Sequence, residues 1–94
     1  MMVSYFINLI AEKNGERYVF KTFEADERET AEEKFYGLCG SGEDAKLQEY
    51  LSAQKTDKNL TVLAELVKTE YESDDEFATY ASLLEIHKWQ PAAE

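Results

Sequence analysis

The sequence predicts a single α+β domain. An N-terminal β-hairpin covers about 3–23, one or two helices cover about 28–54, and a second β-hairpin completes a small antiparallel sheet. Three observations predict it. Asn14-Gly15 separates two runs in which apolar residues alternate. Ala31, Phe35 and Leu38 recur at i, i+4 and i+7, one face of a helix. Leu60, Val62, Ala64 and Leu66 then return to a spacing of two, the period of a strand. The chain has 94 residues, enough for one core and too few for a second, so the domain spans 1–94. Hydrophobic residues make up 44%, which places it among globular chains.

The first hairpin has the strongest local signal. Val3, Tyr5, Ile7, Leu9 and Ala11 alternate with Ser4, Phe6, Asn8 and Ile10, and Tyr18, Phe20 and Thr22 alternate with Val19, Lys21 and Phe23. Asn-Gly between such runs favours a type I′ turn, which needs positive φ at both central residues. An uninterrupted ladder from that turn sets Lys13 opposite Glu16, Glu12 opposite Arg17, Leu9 opposite Phe20 and Phe6 opposite Phe23. Both faces of the hairpin carry apolar residues, so cover is expected on each, at least in part.

The next segment opens with a dense group of acids. Thr30 with Glu33 reads as a capping box, and Asp26 with Glu29 is an alternative start. Gly37, Gly40 and Gly42 read as breaks that cap this helix. A second helix is expected from about Glu43 to Gln54, with Ser41 as its N-cap and Leu47, Tyr50 and Leu51 as its buried stripe. Lys55-Thr56-Asp57-Lys58-Asn59 is a polar loop. The last third carries two patterns. A helix pair at 60–88 is the alternative, since Leu60, Leu63, Ala64, Val67 and Tyr71 fit a helix and Ser73-Asp74-Asp75-Glu76 fits a capping box. The second hairpin is preferred because two strands alone are marginal and two more complete a sheet. Pro91-Ala92-Ala93-Glu94 is expected to be a flexible tail.

Charge bounds the function. Twenty Asp and Glu against ten Lys and Arg leave a formal charge of -10. That opposes contact with nucleic acid and with anionic membrane, both polyanions, and favours basic partners. No run approaches the ~18 apolar residues of a membrane span. The N-terminus lacks the basic region of a signal peptide, and the one cysteine, Cys39, has no partner for a disulfide in the chain. The expected location is therefore the cytoplasm.

Most chemical motifs fail on context. Gly37-Leu38-Cys39-Gly40-Ser41-Gly42 follows a predicted helix, whereas phosphate loops follow a strand and open a helix. Cys39 with His87 offers a nucleophile and a base but no orienting third group. No His and Cys cluster suits zinc, and no calcium loop is present, so no cofactor or metal is expected. Asn59-Leu60-Thr61 matches a glycosylation sequon, which has meaning only on secretion. No enzyme is expected.

What remains is an acidic protein-binding module, one that presents carboxylates to a basic protein surface. Its candidate contact residues are Glu24, Asp26, Glu27, Glu29, Glu32 and Glu33, with Glu72, Asp74, Asp75 and Glu76 from a second dense segment over 65–76. Its sharpest form is an inhibitor that mimics nucleic acid, with carboxylates where phosphates would stand. The alternative is a self-assembling structural or accessory protein, a homodimer joined through a sheet edge or an uncovered hairpin face.

Overall fold

The computed structural model describes residues 2–71 and 78–90. In chain order these form β1 (Met2–Lys13), β2 (Glu16–Ala25), α1 (Arg28–Ser41), α2 (Ala45–Thr56), β3 (Leu60–Tyr71) and β4 (Ala78–Trp89). The strands make one antiparallel sheet in the order β2-β1-β3-β4, with both helices on the same face. Segment 60–88 is thus a strand pair and not a helix pair. The Ser73 capping-box pattern and the 91–94 tail lie outside the described residues.

The Asn14-Gly15 turn forms as its chemistry requires, with φ of 53° and 82° at its two central residues. Lys13 faces Glu16 and Glu12 faces Arg17. Ala11 and Ile10 continue that ladder with Tyr18 and Val19, and beyond them the register departs from it. Leu9 faces Lys21, Ile7 faces Phe23, and Phe6 faces Glu24, because a bulge between Leu9 and Ile10 inserts Phe20 as an extra residue. The bulge turns two successive residues toward the helices. Phe20 stacks on Tyr50 of α2, with ring centroids 4.0 Å apart and planes 13° from parallel. Lys21 pairs with Asp44 at the start of α2. A regular strand would have sent one of them to the opposite face.

The helix boundaries also shift. Helix α1 is capped by the extended backbone of Glu27, with no side-chain cap, so neither capping-box pattern is used. Gly37 and Gly40 do not break it. Phe35 and Leu38, buried against the sheet, hold the helix through both glycines. Only Gly42 terminates it, at φ 64°, donating its N–H to the carbonyl of Leu38 at 3.0 Å. Ser41 is the last residue of α1, where its hydroxyl donates to the carbonyl of Gly37 at 2.7 Å. The N-cap of α2 is Asp44, whose carboxylate accepts from the backbone N–H of Leu47 at 3.0 Å.

The core lies between the helices and one sheet face. Tyr5, Ile7, Leu9 and Ala11 of β1 and Val62, Ala64 and Leu66 of β3 meet Ala31, Phe35 and Leu38 of α1 and Leu47 of α2. Burying a Leu or Ile side chain here contributes ~1.5–3 kcal/mol. Tyr50 and Leu51 sit half-buried at its border. Gln54, 4% exposed, donates to the Trp89 carbonyl at 2.8 Å and so ties α2 to β4. A second irregularity, between Leu66 and Val67, lets Leu84 and Trp89 of β4 both pack on the core while Leu83 and Ile86 turn to the other face. No helix among the described residues is long and apolar enough to cross a membrane.

Candidate protein-binding surface

The first acidic group is gathered where β2 passes into α1. Ala25 ends β2 and packs against the core, which fixes the corner. On α1, Ala31 is buried, and with 3.6 residues per turn Glu29 and Glu33 fall on the opposite side, about one turn apart. The backbone carbonyl of Glu27 accepts from the Ala31 N–H at 3.1 Å, so its side chain is left outward. Glu24, Asp26, Glu27, Glu29 and Glu33 are all exposed. Glu32 differs. It is half-buried and accepts from the Arg28 guanidinium at 2.7 Å, a bond that raises the arginine's pKa. The corner therefore offers five carboxylates to solvent within ten residues, and Glu29 adds favourably to the positive end of the helix dipole.

The second acidic segment divides. Glu72, Asp74, Asp75 and Glu76 lie outside the described residues. Glu65 is on the sheet face away from the helices, where it accepts from Arg17 at 2.8 Å. Glu70 is 3.4 Å from Lys68 on the same strand. These two carboxylates have partners within the fold and are not part of an outward display.

Cys39 is half-buried beside the core, and burial pushes its thiol up to about 11, so the reactive thiolate is scarce near neutral pH. His87 is on β4, its ring edge-on to Trp89 at 4.8 Å. A cleft of ≈ 300 Å³ lies between the end of α1 and the start of α2, with Glu33, Lys34, Gly37, Leu38 and Asp44 among its walls. Asp44 is already engaged by Lys21 and by the helix it caps. Among the described residues no group of three His, Cys, Asp or Glu side chains comes together as a metal site would require.

The sequence placed apolar residues on both hairpin faces but did not tell which one stays uncovered; it is the sheet face opposite the helices. Its rows run Val19–Ile10–Leu63–Lys88, then Thr22–Asn8–Glu65–Ile86, then Glu24–Phe6–Val67–Leu83 from β2 to β4. No helix covers it. The expectation of cover on both faces of the hairpin is met on the helix side, while the other is managed by polar side chains. Arg17 stands opposite Glu12 and reaches Glu65, and the line between them crosses β1 at Ile10. Its apolar stem then lies over Ile10, which is 1% exposed on a face without helices. The Thr22 hydroxyl donates to Asn8 Oδ1 at 2.9 Å alongside. Toward β4 that protection ends, and Leu83 and Ile86 are 56% and 46% exposed. The signal available beforehand was the apolar alternation on both faces of residues 3–23. Compared with protein-family models, with curated protein sequences and with solved structures, the chain has no significant match.

Proposed function

We propose that the chain is a small acidic protein-binding module, docking the corner between β2 and α1 on a basic surface of another protein. The observation that supports this reading is the set of exposed carboxylates at Glu24, Asp26, Glu27, Glu29 and Glu33, which make no ion pair among the described residues. Carboxylates held by internal partners, such as Asp44 and Asp57, have little left to offer a ligand. Exposed ones keep their field and steer encounter with an opposite patch. Glu29 and Glu33 are separated by about 6 Å along the helix axis. One DNA strand carries a phosphate per about 3.4 Å of rise, so the two carboxylates span about two phosphate steps. An inhibitor that occupies a nucleic-acid-binding groove is the most specific form of this reading, and the cytoplasm is its proposed location.

The test is capture of partners on immobilised protein at low and at high salt, with a variant in which Glu24, Glu27, Glu29 and Glu33 become Gln and Asp26 becomes Asn. The expected result is a basic protein that is retained at low salt, released at high salt and lost by the variant, whose melting temperature stays within about a degree or two. Displacement of that protein by DNA identifies the mimic. A partner that binds wild type and variant equally removes this corner from the contact.

A further inference from the structure

We infer that the uncovered sheet face is the interface of a homodimer, in which two copies pack sheet against sheet with their helices outward. The inference does not rest on the acidic corner, although Glu24 lies at the border of both surfaces.

Four observations carry it. The first is size. Four strands spaced by about 4.8 Å, each about 40 Å long, present a face of roughly 750 Å². A stable interface of standard size buries about 800 Å² per partner, so the face is of comparable size and a dimer would use nearly all of it. The second is chemistry. Phe6, Val67, Leu83 and Ile86 form neighbouring positions on the β1, β3 and β4 part of the face. Val19 adds an exposed position, 44%, on β2. Asn8 and the Arg17, Glu12 and Glu65 group lie beside them toward the hairpin end, so the exposed apolar positions are bordered there by polar side chains, as at the rim of an interface.

The third observation is charge. The face holds Glu12, Glu24 and Glu65 with Arg17 and Lys88, a balance of -1 in a chain that carries -10. The acids that would repel a second copy are on the helix side and at the corner. A face close to neutral tolerates an identical face, whereas a basic partner would gain nothing by choosing it. This selects a second copy as the occupant. The fourth observation separates face packing from edge pairing. The free edge of β4 is interrupted by the irregularity at Leu66 and Val67, which leaves only short regular stretches on either side of Leu84. Such interruptions are how proteins discourage strand addition at an edge. The face remains, and sheets that pack face to face do so at about 10 Å with interleaved side chains.

The experiment is the mass of the particle in solution, by light scattering and by sedimentation equilibrium, over micromolar to sub-millimolar concentration in moderate salt. A dimer is expected. Leu83→Glu with Ile86→Glu, both at exposed positions, should weaken self-association by more than about tenfold while far-ultraviolet circular dichroism stays unchanged. Val19→Lys gives the second readout, because Val19 is on the strand at the opposite edge. It weakens a face-to-face dimer and leaves a dimer joined through the β4 edge untouched. A monomer throughout the concentration range overturns the inference. So does a dimer that survives both variants, or one that responds to the β4 pair and not to Val19→Lys.

Discussion

Asp44 shows how much can depend on one side chain in a small domain. It caps α2, and it holds Lys21 where the bulge in β2 delivers it. Partial burial pushes its carboxyl up, but the Lys21 ammonium and the backbone N–H groups of Leu47 and Lys46 outweigh that, and the net position is below the ordinary 3.8. Asp57 is lowered in the same direction, by Lys13 at 2.6 Å and by the Asn59 N–H. A carboxyl whose folded value is depressed stabilises the fold fully above its unfolded value, and the contribution is lost as pH falls through the folded value. The acid limb therefore begins near pH 3.8 and extends below it. Asp44→Asn keeps an acceptable cap but removes the charge. Urea midpoints measured at about pH 7 and about pH 3 should differ less for Asp44→Asn than for wild type. Equal losses would mean that the Lys21 pair carries no pH-dependent stability.

Among the elements, α1 departs furthest from its sequence signals. Three glycines in six residues suggest an end, and two of them lie inside the helix. Their conformational cost is accepted because Phe35 and Leu38 anchor the same stretch to the sheet. Gly37 and Gly40 have open space where a Cβ would go and take no positive φ. Gly37→Ala and Gly40→Ala should each stabilise the protein by roughly 0.5–1 kcal/mol, seen as a higher thermal midpoint. A loss of stability in both would show that the helix ends before Gly37 in solution. The hairpins offer the complementary lesson. Turn chemistry set the first four pairs from Asn14-Gly15 correctly, then the bulge moved every later pair by one residue. Nothing in the spacing of residues 16–25 marks the bulge. Its cause is Tyr50 and Asp44, supplied by a helix that comes later in the chain.

For the whole molecule, the balance between charge and core is what distinguishes this chain. One side of the sheet is sealed by helices, and the other is closed in part by Arg17 over Ile10 and by the Asn8–Thr22 bond. A net charge of -10 on 94 residues repels itself, and this repulsion is screened over about 10 Å at 0.1 M salt. Raising salt from about 0.02 to about 0.2 M, at constant protein concentration, should raise the melting temperature by roughly a few degrees. A fall would show that the ion pairs among the described residues outweigh the repulsion. Protein concentration has to be constant because self-association raises the midpoint by mass action.

The sequence by itself determined the α+β class, the position of the first turn, the apolar stripe of α1 and the acidic corner. Each of these depends on residues close together in the chain, where periodicity, turn chemistry and composition act directly. The candidate acids were legible in the same way, as residues, but their state was not. Only the fold shows that Glu32 and Glu65 are held by Arg28 and Arg17 while Glu29 and Glu33 are not. Tertiary structure alone decided that Leu60–Tyr71 and Ala78–Trp89 form strands, because Leu60 and Ala64 are at once strand and helix positions until β1 offers them a ladder. It also decided which face of the sheet is covered. Both faces are apolar in the sequence, and the two helices present one buried stripe each, enough to close one side and leave the other open.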